Sequence, residues 1–364
     1  MAKTGTTALQ HTLRHSAESL ERRRVLYPTP LGDEQCHVVL VHGMRRPDNM
    51  PRLEARRRRP LEARSQFLRQ VANEIEHARP QTLVLSTERL GRPLREGALH
   101  TFQIDLQALG ATRIDVVAYL RAPASNYLSR LQQVLKHSSR VPPPEPPAYR
   151  AALEPYLQVF GEGFVHAHLF DSDALRNGDI VDDFVHRHLA TSGVSAADLT
   201  SAGRINKMLS APSIEMMLSY RLSVHPVADD VMMPDSNWLR SRLVELDATL
   251  GLSRPVLHPE VADWINHASP DLEWVQQHFD LVFPQVDYGR IGTGRIPETN
   301  PWPTPALHEI VRIDPEERHR LGQALVREAF PRLPWRRWPD VIRGRSCTPR
   351  EWRRRLSREW NGAA

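Results

Sequence analysis

The sequence predicts an α/β protein with a mostly parallel sheet and helices on both faces, on three observations. Short apolar runs rich in β-branched residues recur at Val38–Val41, Thr82–Leu85, Ile114–Leu120 and Phe164–Leu169. Each is bounded by polar or turn residues. Helix-like patterns lie between them. Buried parallel strands read as near-continuous apolar runs, and the crossover helices that join them supply the alternation.

In chain order, a helix is expected directly after Lys3-Thr4-Gly5-Thr6-Thr7. Ser65–Ala78 spaces Phe67, Val71 and Ile75 four apart, which puts them on one helical face. Asn126–Lys136 does the same with Tyr127, Leu131, Val134 and Leu135, after an expected N-cap at Ser125. The run from Val141 to Pro147 holds five prolines and reads as an extended connection. From about residue 204 to 283 the strand signal fades, and Ile205–Leu222 and Trp238–Leu250 read as helices of a cap. Beyond Pro284, Gly289–Gly294 and Pro297–Pro305 are rich in Gly, Pro and Thr, before an amphipathic piece at Glu317–Phe330. Residues 1–284 are therefore expected to form one α/β domain with a helical cap at about 204–284. Residues 285–364 are expected to form a C-terminal appendage.

Composition narrows the function. With 25% charged and 40% hydrophobic residues, the 364-residue chain has the balance of a folded soluble protein. Of its 48 basic residues only Lys3, Lys136 and Lys207 are lysines. Such a skew marks a GC-rich genome as readily as a partner, and a net charge of +5 gives no ground to expect nucleic acid. Cys36 and Cys347 cannot make a disulfide framework or a cysteine zinc site. No apolar run approaches the ~20 residues that span a bilayer, and the N-terminus has no signal-peptide core. A cytoplasmic protein without a transmembrane segment is expected; the oligomeric state is left open. An α/β-hydrolase is excluded because no G-x-S-x-G elbow occurs.

His166 and His168 alternate on one strand and point the same way, whereas helical spacing separates His186 from His188. No carboxylate motif completes a zinc site around them, so they read as ordinary polar histidines and no metal is expected. The run from Arg56 to Arg59 reads as a solvated loop, with contact to an anionic acceptor as the alternative. Trp335-Arg336-Arg337-Trp338 reads as tail packing on the main domain, with sugar or partner stacking as the alternative.

Lys3-Thr4-Gly5-Thr6-Thr7 has the chemistry of an anion site. Gly5 lets backbone approach a ligand, the free N–H groups of a helix start face it, and Lys3 adds a mobile charge. An ordinary helix cap by Thr4 or Thr6 is the plainer reading. This is not a Walker A loop, because the lysine precedes the glycine. That order resembles the 5′-phosphosulfate loop of the sulfotransferases, with Ala2 where the family usually has proline. A second match lies at Arg121-Ala-Pro-Ala-Ser-Asn-Tyr-Leu-Ser129. Sulfotransferases hold the donor 3′-phosphate with an arginine at a strand end and a serine eight residues on. An arginine fork suits a phosphate whatever the family.

The chain thus resembles the bacterial sulfotransferase-like proteins over about residues 1–284, with looser matches such as Phe170-Asp171 and Gly178-Asp179-Ile180. The resemblance implies a P-loop nucleoside-triphosphate-hydrolase-like fold of the sulfotransferase type. It also implies 3′-phosphoadenosine 5′-phosphosulfate as donor, no metal, and a small-molecule or glycan acceptor. Thr4, Gly5, Thr6 and Thr7 would hold the 5′-phosphate, Lys3 the bridging oxygen, and Arg121 and Ser129 the 3′-phosphate. Glu88, at the end of the run from Leu83, is the expected general base; His42, after Val38–Val41, is the alternative. The family's phosphate loop follows the first strand of the sheet, yet only two residues precede Lys3. The first strand is therefore expected to be missing, either through a start placed downstream of the true one or through loss of part of the site. Two other functions remain open: a P-loop-like small-molecule kinase, and a non-catalytic nucleotide-binding or assembly protein.

Overall fold

The computed structural model describes residues 4–29, 37–41, 44, 60–91, 94, 97–200, 208–227, 231–294, 296–297 and 299–329. Helices α1 (Thr6–His15) and α2 (Ala17–Arg22) lead into β1 (Val25–Leu26). Next come α3 (Pro60–Ala78), β2 (Thr82–Leu83), α4 (Ala98–Ala108) and β3 (Val116–Leu120). Helices α5 (Pro123–Val134) and α6 (Tyr149–Phe160) precede β4 (Val165–Leu169). Then α7 (Ile180–Phe184) runs directly into a π-helix, Val185–Leu189. The rest is α8 (Ala211–Val224), α9 (Pro234–Leu250), β5 (Val256–Leu257), α10 (Pro259–His267), α11 (Asp271–Phe279), α12 (Leu307–Ile310), β6 (Val311–Arg312) and α13 (Pro315–Ala329).

Among the described residues the expected single, mostly parallel sheet is corrected to three two-stranded sheets. β1 pairs in parallel with β2, and β3 with β4 from Val116 opposite Val165 to Leu120 opposite Leu169. β5 and β6 pair antiparallel. Among the described residues no strand joins β2 to β3. The two parallel pairs nevertheless share the core on both sides. Val25, Tyr27 and Val84 meet Val117 and Tyr119 beneath α1 and α7. Leu83 and Leu85 meet Ile114, Val116 and Val165 against α3 and α4. The layer is thus covered by helices on both faces but divided in the middle.

Val38–Val41 is not a strand. It is a buried 3₁₀ turn, with Val39 and Leu40 packed in the cluster of Phe67 and Val71. A run of four apolar residues without alternation reads the same for a buried turn as for a buried strand, and here the turn won. The Leu40 carbonyl accepts from Arg64 Nε at 3.0 Å, and Arg64 also pairs with Asp105, which ties α3 to α4.

The expected N-cap at Ser125 is corrected as well. Helix α5 starts at Pro123 behind Ala122. Proline at a first helical position costs nothing, since its missing N–H had no intrahelical partner there. The Ala124 N–H is satisfied by Asn266 Oδ1 of α10, at 2.9 Å. Ser125 is left to serve another residue.

A helical lobe packs on α5. Tyr127 and Leu131 meet Ile214 and Met217 of α8, Leu243 of α9 and Ile265 of α10. The helix expected at Ile205–Leu222 begins instead at Ala211, where Ser210 caps it and donates to the buried Asp247 at 2.7 Å. Residues 307–329 are built into this lobe: Leu307, Ile310, Val311 and Leu321 enter its core, and Arg242 of α9 pairs with Glu328 of α13. A separate cluster of Leu120, Tyr149, Leu153, Leu272, Val275 and Phe283 fixes the C-terminal end of β3.

Candidate functional site

Helix α1 begins against the end of β4. Gly5 precedes its first turn with φ +69°, a left-handed value, and no side chain caps the helix. Its carbonyl already accepts from the Ala8 and Leu9 N–H groups at 3.0 and 3.2 Å. Among the described residues no side chain accepts from the first-turn N–H groups of Thr6 and Thr7, the donors that an anion site uses. Glycine is needed here for space as well as for φ. A Cβ on Gly5 would stand 2.9 Å from Phe170 Cε2 and 3.1 Å from Ile180 Cγ2. Gly5→Ala is expected to destabilise the protein by about 2 kcal/mol through strained φ and this clash, and to lift α1 away from β4. Urea unfolding and amide exchange over residues 6–15 would measure both.

The second expected half-site also borders this ring. The Arg121 guanidinium carbon stands 5.6 Å from the Phe170 ring centroid. Arg121 follows β3 directly, and the parallel pairing of β3 with β4 carries Phe170 alongside it, with Phe170 N–H donating to Leu120 O at 2.6 Å. Its carbonyl accepts from Tyr149 OH and its Nε donates to Ser125 Oγ at 2.7 Å. Burial pushes the guanidinium pKa down and the neighbouring Arg254 adds to this, against the opposing charge of Asp171. An arginine remains a cation through such shifts. It is a half-buried cation beside Asp171, whose attraction exceeds the repulsion of Arg254.

Ser125 is the residue that Arg121 holds, while Ser129 lies one helical turn farther along α5 on the same face. Glu88 opens a 3₁₀ turn, Glu88–Gly91, and is partly exposed. Among the described residues no hydrogen bond joins it to Gly5 or Arg121. Its strand end is nevertheless tied to α1, because Gln10 Nε2 donates to Ser86 Oγ at 3.1 Å. Thr4 is fully buried, and Thr6 and Thr7 are half-buried in the first turn of α1. Lys3 and His42 lie outside the described residues, as do Arg56–Arg59 and Trp335–Trp338.

Sequence reasoning missed Phe170, Ser125 and His37. Phe170 gave only a loose family match, and its contact with positions 5 and 121 has no sequence signature. Ser125 stands four residues after Arg121, a spacing that could have been read as a helical pair. His37 is fully buried and links three segments. Its Nε2 donates to Pro28 O at 2.9 Å, its Nδ1 accepts from Ser86 N–H at 2.9 Å, and its own N–H donates to Ser86 O at 2.9 Å.

The opposite face of β3 from Leu120 carries a second polar group. Tyr119 OH and Arg187 Nε both donate to Asp183 Oδ2 at 2.8 Å, and the Arg176 N–H donates to Asp183 Oδ1 at 3.1 Å. Burial pushes the Asp183 pKa up, but these bonds outweigh it and the net direction is down. Beside them His168 and His188 meet through their Nε2 atoms at 2.9 Å.

No protein-family model, curated protein or solved structure matches the chain. No helix among the described residues is long and apolar enough to cross a membrane. What the chain does must be argued from its own residues.

Proposed function

We propose that the chain is a sulfotransferase, moving a sulfuryl group from 3′-phosphoadenosine 5′-phosphosulfate to a hydroxyl or amine of a carbohydrate, lipid or small metabolite. One observation carries the reading. The uncapped start of α1 at Gly5 and the Arg121 guanidinium, 116 positions apart in sequence, both border the Phe170 ring. A ligand with two anionic ends joined by a nucleoside can use two such places beside one ring. A nucleoside triphosphate, whose charge is concentrated at one end, gives Arg121 nothing to hold.

In this reading the N–H groups of Thr6 and Thr7 receive the 5′-phosphate, with Lys3 on the oxygen that leaves sulfur. Arg121 and the serines of α5 receive the 3′-phosphate. The acceptor oxygen or nitrogen attacks sulfur in line as the bond from sulfur to the bridging oxygen breaks. Glu88 takes the acceptor's proton, and adenosine 3′,5′-bisphosphate departs with the bridging oxygen. Positioning and charge neutralisation supply most of the rate in such a transfer.

Calorimetry with adenosine 3′,5′-bisphosphate and with ATP separates the sulfotransferase from a P-loop-like kinase: binding of ATP alone would overturn it. Glu88→Gln is expected to lower sulfuryl transfer by about 100-fold or more with donor affinity nearly unchanged. Steady-state rates and calorimetry on the same variant check this. A second reading, a nucleotide-binding protein without catalysis, draws on the divided layer, in which β2 and β3 have no strand between them among the described residues. Bisphosphate binding without transfer to any acceptor in a panel of sugars, phenols and amines would favour it.

A further inference from the structure

The polar face of β4 holds three histidines whose arrangement the sequence did not announce. His166 and His168 share that face of the strand, as their alternation requires. His188 comes to them from the π-helix, Val185–Leu189, while His186 stays exposed. Such wide turns are rare and recur at functional sites. His188 packs on Phe184 at 5.3 Å between ring centroids and on His168 at 5.0 Å. The His168 and His188 Nε2 atoms are 2.9 Å apart. His166 is turned away to Asp115, with Nε2 to Oδ1 at 2.9 Å, and its ring lies 5.8 Å from that of His188.

Two neutral imidazoles facing through Nε2 place one hydrogen between two nitrogen lone pairs. Neither ring's Nδ1 has a partner among the described residues, so that hydrogen can move to Nδ1 and bare both Nε2 atoms. Tetrahedral zinc with bonds of about 2.0–2.1 Å spaces two imidazole nitrogens about 3.4 Å apart. The pair needs to open by only about half an ångström. Arg187 disfavours positive charge at both rings, and its pairing with Asp183, together with that of Arg113 with Asp115, moderates this. An open pocket of about 310 Å³, lined also by Arg187 and Phe279–Val282, reaches His168. Among the described residues no three histidine, cysteine, aspartate or glutamate side chains converge on one point, so the protein supplies two ligands.

We propose that His168 and His188 form a two-histidine clamp for a divalent cation that favours imidazole (Zn²⁺, Cu²⁺ or Ni²⁺), with water completing the coordination. The clamp bridges β4 to the π-helix and is independent of the sulfotransferase reading. Another histidine pair among the described residues, His11 and His15 on α1, is stacked at 5.8 Å with the His15 Nδ1 bound to the His11 carbonyl.

The test is calorimetry with Zn²⁺ and with Ni²⁺ on the full chain carrying His11→Gln and His15→Gln, to remove that background. One equivalent is expected to bind, and His168→Gln or His188→Gln is expected to weaken binding at least tenfold, while His186→Gln leaves it unchanged. A second readout needs no variant: Zn²⁺ should protect His168 and His188 from carbethoxylation, followed by mass spectrometry of the unsubstituted protein. Absence of saturable binding, affinity unchanged by both substitutions, or equal labelling with and without Zn²⁺ would overturn the clamp.

Discussion

Replacing Arg121 with alanine is expected to weaken binding of adenosine 3′,5′-bisphosphate about 100-fold, while binding of adenosine 5′-monophosphate changes little. The size follows from losing a charge-assisted contact to phosphate, worth about 3 kcal/mol, at about 1.4 kcal/mol per tenfold. The selectivity follows from geometry. In the proposed site the start of α1 receives the 5′-phosphate, and Arg121, which borders Phe170 as Gly5 does, receives the 3′-phosphate that the monophosphate lacks. Arg121→Lys should recover only part of the affinity, since an ammonium cannot both hold Ser125 through Nε and fork to a phosphate. Ser125→Ala should cost less than Arg121→Ala, because the cation stays. Its backbone surroundings argue against a folding artefact: the Tyr149 hydroxyl holds the Arg121 carbonyl, a contact that the side-chain substitution leaves in place. Equal loss for both nucleotides would mean that Arg121 acts on the fold, and no loss for either would remove it from the site.

Acid should weaken the fold through His37 before any carboxylate titrates fully. Burial lowers its pKa from the ordinary 6.5 to about 4, against the opposing bond to the Pro28 carbonyl. The native state therefore holds it neutral, whereas the unfolded chain binds a proton below 6.5. Stability from this group is fully present above pH 6.5 and is lost progressively as pH falls toward 4. The shift corresponds to about 3 kcal/mol. Urea unfolding at pH 7.5 and pH 4.5 measures it, and in His37→Gln the pH-dependent difference should shrink by about that amount. His37→Ala at neutral pH is expected to cost about 4 kcal/mol. It leaves the Pro28 carbonyl and the Ser86 N–H without their partner and opens a hole between Tyr27 and Phe67, whose rings pack on the imidazole at 4.6 and 5.5 Å. An unchanged pH dependence in His37→Gln would show that the group is not held neutral. Loosening of residues 84–88 should accompany the alanine variant, because Ser86 is the point at which His37 and Gln10 both reach the β2 end.

Much of the fold was legible. Val116–Leu120 and Val165–Leu169 fall inside runs whose β-branched and apolar content predicted strands, and the expected helices around Phe67 and Tyr127 are α3 and α5. These succeed because a strand or helix face is written in residues two, three or four apart. Val38–Val41 failed because four consecutive apolar residues carry no period to read. The expected Ser125 cap failed because Pro123 starts a helix as well as a serine ends a loop, and a distant Asn266 supplied the acceptor.

Local residue order already carries the chemistry available at each half of the site: a glycine and hydroxyls before a helix, and an arginine at a strand end with serines at helical spacing. Tertiary structure decided what those halves meet. Gly5, Arg121 and Phe170 come together only because β3 and β4 run in parallel with their C-terminal ends at the start of α1. His168 meets His188 only because one turn of helix widens. Such contacts join positions tens of residues apart or more, and they depend on how whole elements pack, which local spacing does not encode.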